Sequence, residues 1–184
     1  MAKDTIYINF SSEINQHTAE VLMGVFAQEA NKGVRNFYLL LSGPGGNVMS
    51  GITVYNFLRS LPINLTTHNI GIMDSITNIV YLAGSRRFAN YDSSFFFHEV
   101  GVNISEPMEL DEENMEEQLE VVQRNKKLIV DILVERTGMA KEEAQKLCLE
   151  PETLSPEEAQ KLGIVHEIKD AKIPEGEEVV QLVF

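Results

Sequence analysis

Hydrophobic and polar positions along the first half of the chain follow two alternating periods. Thr5–Phe10, TIYINF, has a period of two and is rich in β-branched and aromatic residues, which predicts a strand. From Glu13 to Ala30 the period becomes helical. Ile14, Val21, Leu22, Val25, Phe26 and Ala30 can share one face, and Asn31-Lys32-Gly33 ends the segment with Gly33 as the C′ residue. Asn36–Leu41, NFYLLL, is a continuous apolar run, as expected of a strand covered on both faces. Val48–Leu61 is amphipathic again, with Val48, Ile52, Tyr55 and Leu58 on one side, and Pro62 stops it. Ile63–Asn69 predicts a third strand leading into Gly71, and Ile76–Ala83 a helix-compatible apolar segment. Strands alternating with helices are the pattern of an α/β fold with a mostly parallel sheet.

Beyond Gly84 the predicted elements shorten. Arg87–Ala89 and Ser94–Val100 read as extended. Glu109–Arg136 predicts one long helix, acidic in its first half and apolar along one side of its second, with the acid placed where the helix dipole favours it. Ala140–Leu149 predicts a shorter helix. Ser155-Pro156-Glu157-Glu158 has the cap, proline and acid of a helix start, and Gly163 closes that helix. Ile164–Ile168 and the tail segment VVQLVF predict short strands. The whole chain, residues 1–184, is of a length for one domain around one core.

Composition narrows the partners. A net charge of −13 argues against nucleic acid and against an anionic membrane surface. No apolar run approaches the ~20 residues of a membrane helix, and MAKDTIYINF has no apolar leader core, so a cytoplasmic protein is expected. The single cysteine, Cys148, permits no intrachain disulfide and reads as packing. His17, His68 and His166 lack metal-ligand spacing and read as structural or exposed; no metal or cofactor is predicted. Arg86-Arg87 is expected to form surface ion pairs.

The chemistry concentrates in three places. Ser75 stands at a strand-to-helix junction, where backbone N–H groups are unpaired and the potential is positive, as suits a nucleophile whose attack creates an oxyanion. Taken alone, a helix-cap serine is the simpler reading. The turn Gly43-Pro44-Gly45-Gly46 lets backbone approach a ligand, or is only a tight turn; it carries neither a P-loop nor a dinucleotide fingerprint. His98 follows Ser75 by 23 residues in SFFFHEV, and on its own reads as a packed histidine.

In this order the blocks resemble the proteolytic subunit of the ATP-dependent Clp protease, the ClpP family, from about Tyr7 to Glu167. Gly43-Pro44-Gly45-Gly46 is similar to the family's Ser-Pro-Gly-Gly. Gly71…Ser75…Ala83-Gly84 is similar to its nucleophile block, Arg87-Phe88…Phe97-His98 to its histidine block, and Ser155-Pro156-Glu157-Glu158-Ala159…Gly163-Ile164 to its later Ser-Ala-x-Glu-Ala pattern. The resemblance implies a ClpP/crotonase-like α/β fold of repeated β-β-α units, with a protruding handle helix near Glu113–Val134 (region 109–136) that interleaves two heptameric rings. It implies a hydrolase, a serine protease of the Clp type that takes peptide or unfolded protein. Ser75 would be the nucleophile and His98 the general base and then acid. The N–H groups of Gly45 and Ile76 would form the oxyanion hole, and Gly46, Asn47 and Val48 would line an extended substrate.

Two departures shape the expectation. The family's triad Asp falls on Pro151, whose side chain cannot orient a histidine. Glu152 is expected to take the role, with Glu150 as the alternative, and a water or backbone carbonyl after them. The chain also begins almost at its first core strand, without the axial segment that touches the ATPase, so a peptidase independent of an ATPase is expected. The alternatives are a catalytically weakened scaffold or partner subunit that keeps the homo-oligomeric ring, and a crotonase-like acyl-CoA enzyme.

Overall fold

The computed structural model describes residues 5–101 and 111–184. Three parallel strands form its centre: β1 (Thr5–Ser11), β2 (Asn36–Gly43) and β3 (Asn64–Asp74). They are joined by α1 (Gln16–Asn31) and α2 (Val48–Ser60). Leu39, Leu40 and Leu41 of β2 are all buried, so the continuous apolar run marks a strand covered on both faces. The remaining elements are α3 (Ile76–Tyr81), β4 (Arg86–Ala89), β5 (Ser94–Phe97), α4 (Glu112–Thr137), α5 (Lys141–Leu147), β6 (Glu152–Leu154), α6 (Pro156–Lys161), β7 (Glu167–Ile168) and β8 (Val179–Gln181). The path across the sheet is β6-β5-β3-β2-β1-β8, with β4 on β3 and β7 on β4.

β3 runs past the predicted end at Asn69 as far as Asp74 and serves two partners in succession along one edge. Thr66–Asn69 pair with β4, and Ile72–Asp74 pair with β5. Between them the register against β2 shifts. The buried Asn69 side chain splices this irregularity: its Oδ1 accepts from the Gly71 N–H (3.0 Å) and its Nδ2 donates to the Ser94 carbonyl (2.9 Å). β5 is shorter than predicted and ends at Phe97, where antiparallel pairing with Glu152 of β6 also ends. The strand predicted over Ile164–Ile168 reduces to β7, because Ile164 and Val165 direct their N–H groups to Ala159 at the end of α6.

Local chemistry sets the helix starts. The first helix begins at Gln16 rather than Glu13, because Asn15 and Thr18 form a reciprocal capping box. Ser155 and Glu158 do the same for α6, with Pro156 in its first turn. Asp111 caps α4, Glu112 and Glu113 fill its first turn, and the left-handed Gly138 ends it. Of the predicted start of this helix, 109 and 110 lie outside the described residues. No residue of its first three turns is buried, whereas Asn125, Ile129, Val130, Ile132 and Leu133 are. The helix therefore projects from the body at its N-terminal end. No helix among the described residues is long and apolar enough to cross a membrane.

Arg87 corrects the sequence reading. It is only 3% exposed and forms no ion pair among the described residues. Its Nε donates to the Ile164 carbonyl (2.8 Å), Nη1 to Gly84 (3.2 Å), and Nη2 to Arg136 (2.9 Å) and Gly163 (3.0 Å). Those carbonyls lie at or just past the C-terminal ends of α3, α4 and α6, where unpaired C=O groups and the helix dipoles favour a cation. Burial, with Arg136 nearby, pushes the Arg87 pKa down to about 10, so the group stays charged at neutral pH. Arg87→Met removes the side-chain donor from the Ile164, Gly163 and Arg136 carbonyls, while Gly84 keeps the bond from Arg136 Nη2 (3.0 Å), and is expected to cost on the order of 3 kcal/mol in urea unfolding. Arg87→Lys should recover only part of that loss, because an ammonium cannot span the same fork of acceptors.

Candidate active site

Ser75 ends β3 and precedes α3 with φ 54° and ψ −124°, and it is the one non-glycine residue at positive φ among the described residues. Such a backbone costs about 1–3 kcal/mol and persists only where its surroundings impose it. The imposing contact is the Ser75 N–H, which donates to the Phe96 carbonyl of β5 at 2.9 Å. Asn78 Nδ2 donates to the same carbonyl at 2.8 Å. The Ser75 hydroxyl makes no cap hydrogen bond, so the helix-cap reading does not hold. The side chain is instead lifted out of the sheet, and the N–H of Ile76 opens the first turn of α3, where helical N–H groups lack intrahelical partners.

The glycine turn packs against this junction. A Cβ on Gly45 would stand 2.8 Å from Ser75 Cβ and 3.1 Å from the Asp74 carbonyl, and Gly45 has φ 92°. Only glycine meets both conditions. The Gly45 N–H donates to Thr77 Oγ1 at 3.2 Å in this conformation. Gly46 bridges to Ile14 as in a parallel ladder: the Ile14 N–H donates to the Gly45 carbonyl (2.8 Å) and the Asn47 N–H to the Ile14 carbonyl (2.7 Å). In that geometry the N–H and C=O of Gly46 itself face the opposite side.

His98 lies just beyond β5, exposed, with its ring tilted on Phe96 at 5.6 Å. It is therefore not the packed core histidine that its apolar flank implied. Its Nδ1 is 2.8 Å from the Glu99 carbonyl. A carbonyl can only accept, so Nδ1 carries the proton and Nε2 keeps its lone pair. Glu152 pairs with Phe97 in the sheet, one residue short of His98, and its carboxylate faces Lys146 at 3.7 Å. Glu150 is exposed beyond α5. The carboxyl that senses His98 is Asp74: burial raises its pKa and the histidine lowers it.

Ser75 and His98 open onto one cavity of about 500 Å³, and no hydrogen bond joins them. Gly46, Asn47 and Val48 line the same cavity. Gln118, Val121, Asn125 and Ile129 of α4, with Leu147 and Cys148, form its far wall. Thr77, Asp74 and Asn125 went unread in the sequence as site residues. Asn125 had a signal: it interrupts the apolar stripe Val121–Ile129 at helical spacing.

The fold and site define a class: a parallel α/β chain that presents a backbone-strained serine and a tautomer-fixed histidine to one cleft. A family model described as Clp protease matches residues 1–172. The ATP-dependent Clp protease proteolytic subunit of Chlorella vulgaris is 28% identical over 163 residues, covering 85% of this chain and 77% of that protein. A solved structure of a ClpP1 mutant from Listeria monocytogenes has the same fold, with a TM-score of 0.79 at 22% identity and 92% of each chain covered. The chain belongs to the Clp protease family.

Gly45→Ala tests the close approach. The added methyl must push the turn off Ser75, and the rate at which Ser75 reacts with an organophosphonate is expected to fall by about 10²-fold or more. Urea unfolding should report a smaller effect, about 1–3 kcal/mol, from the disfavoured φ.

Proposed function

We propose that the chain is a serine peptidase of the Clp type that acts on extended peptides. The observation that carries the reading is the strained Ser75, held at a cavity it shares with a histidine whose Nε2 is free to accept a proton. Ser75 Oγ attacks the substrate carbonyl carbon as its proton passes to His98 Nε2. The oxyanion takes hydrogen bonds from the N–H groups of Ile76 and Gly45, the latter exchanging Thr77 Oγ1 for it. His98 then protonates the leaving amine, and the acyl-Ser75 ester is hydrolysed by a water that His98 deprotonates. The outward N–H and C=O of Gly46 are placed to pair with substrate backbone, with Asn47 and Val48 beside them.

With Pro151 in the sequence, the histidine relies on other groups. The Glu99 carbonyl holds its tautomer, and Asp74 is an acidic neighbour whose carboxyl pKa burial raises and His98 lowers. The Glu152 carboxylate lies 3.7 Å from the Lys146 ammonium. A fluorophosphonate probe, followed by mass mapping, should modify Ser75, and His98→Ala should abolish the modification. Label on Ser42, Ser85 or Ser155 instead would sink the assignment. In peptide turnover, a large loss in Glu152→Gln or in Glu150→Gln alone would identify that carboxylate as the orienting group, whereas unchanged rates in both are expected if the Glu99 carbonyl suffices. Absence of both label and turnover would favour the scaffold alternative.

The projecting half of α4 exposes Met115 and Leu119 on successive turns of one face. We infer that a second copy of the chain covers them in a homo-oligomeric ring. Light scattering at micromolar concentration should report a multi-subunit species, and Met115→Glu with Leu119→Glu should shift it toward the monomer.

A further inference from the structure

We propose that His68 is a proton-operated latch: its neutral ring holds the segment between β7 and β8 across one face of the sheet, and acidification releases that segment. The proposal does not depend on the peptidase reading.

β7 pairs with β4 and β8 pairs with β1, so the chain that joins them, residues 169–178, must cross the four strands β4, β3, β2 and β1. It crosses on the face that carries Tyr7, Tyr38, His68 and Phe88, one from each strand. Their rings follow one another at 5.3, 5.8 and 5.8 Å. Lys172 to Glu178 are all exposed, so the crossing depends on how its ends are held. At the β7 end the Lys169 N–H donates to the Ala89 carbonyl (2.9 Å) and the Ala171 N–H to Asn90 Oδ1 (2.9 Å). Between these two bonds the Lys169 carbonyl lies 2.9 Å from His68 Nε2.

His68 is fully buried. A carbonyl only accepts, so Nε2 carries the proton, and Nδ1 accepts from the Tyr38 hydroxyl at 2.6 Å. A second proton, on Nδ1, would face that hydroxyl and force it to turn its own hydrogen away. The new charge would also arrive beside two cations. Lys169 Nζ stands 3.5 Å from the centre of the Phe88 ring and the Arg86 guanidinium 5.1 Å from it, and that ring meets His68 edge-on. Of the nearby acids, Glu167 is engaged by the Lys169 ammonium at 2.9 Å, Asp170 is exposed, and Glu177 acts on Tyr7 at the far end of the row. Burial, ahead of the Lys169 charge, holds the His68 pKa below the ordinary histidine value, against the pull of the Lys169 carbonyl, Asn90 and Asp170. Lys169 thus acts in both directions: its carbonyl holds the neutral ring and its ammonium repels the charged one. Withdrawal of Lys169 admits water to the ring and removes the repulsion together. Because the latched value is the lower one, the latch is at full strength above the free-histidine value of about 6.5 and weakens as pH falls below it.

The test is hydrogen exchange from about pH 7.5 to about pH 5, resolved to single amides, with each rate divided by that of an unprotected amide at the same pH. Protection of the Lys169 and Ala171 amides is expected to fall by about tenfold, while amides of the β1–β2 ladder keep theirs. His68→Gln takes up no proton in this range, and its protection at the two amides should not change. Lys169→Met keeps the carbonyl and lacks the ammonium, and should show a smaller fall than the native protein. Native protection that stays constant, or that falls in step with the β1–β2 ladder, would overturn the latch, as would a full native fall in His68→Gln. If His68→Gln does not fold, the native profile and its reduction in Lys169→Met decide.

Discussion

The hydrogen bond from the Ser75 N–H to the Phe96 carbonyl joins the end of β3 to β5 and organises the cleft around one point. It holds the chain at a positive φ that a serine does not adopt unaided. Asn78, one helical turn on, donates to the same carbonyl and locks the start of α3 to the strand. His98 follows Phe96 by two residues, so the contact that lifts the serine also places the histidine. β6 supports this arrangement from the far side by pairing with Phe95, Phe96 and Phe97.

In the free chain several groups of this site are occupied with one another. The Gly45 N–H is held by Thr77, the His98 Nδ1–H by Glu99, and the Glu152 carboxylate by Lys146. Catalytic contacts commonly tighten only when substrate is bound. The 3.2 Å bond from Gly45 to a neutral hydroxyl is the one an oxyanion would displace most easily, because charge-assisted hydrogen bonds are roughly twice as strong as neutral ones. The turn itself cannot be remodelled as freely, since Ile14 holds it on one side and Ser75 abuts it on the other.

α4 connects two parts of the molecule with different demands. Its C-terminal half is anchored in the core, where Arg87 and Arg136 gather the carbonyls at the ends of three helices. The stretch from Gln118 to Ile129 contributes a wall of the cavity, and no residue of the helix's first three turns is buried. A substitution on this helix therefore has consequences that depend on which turn it occupies, although the sequence is one continuous amphipathic pattern.

Local signals were strong enough to specify much of this in the chain itself. Apolar period separated the strands of the first half from their helices. Side chains close to each terminus, such as Asn15 with Thr18 and Ser155 with Glu158, set where helices begin. The order of a glycine turn, Ser75 and His98 pointed to the family. Tertiary structure alone decided the rest. The strain at Ser75 comes from a strand 21 residues away, which no local pattern encodes. Arg87 looked like a surface cation because its acceptors are backbone carbonyls as distant as Gly163 and Ile164, and carbonyls carry no sequence identity. The partner of His98 was sought first among carboxylates and only then among backbone carbonyls, and nothing in the sequence singles out the carbonyl of Glu99 that lies 2.8 Å from its Nδ1. Asn125 could be read as one polar interruption of an apolar stripe; that the interruption faces the same cavity as Ser75 depends on how α4 packs across the sheet, a long-range choice made by burial rather than by neighbours in the chain.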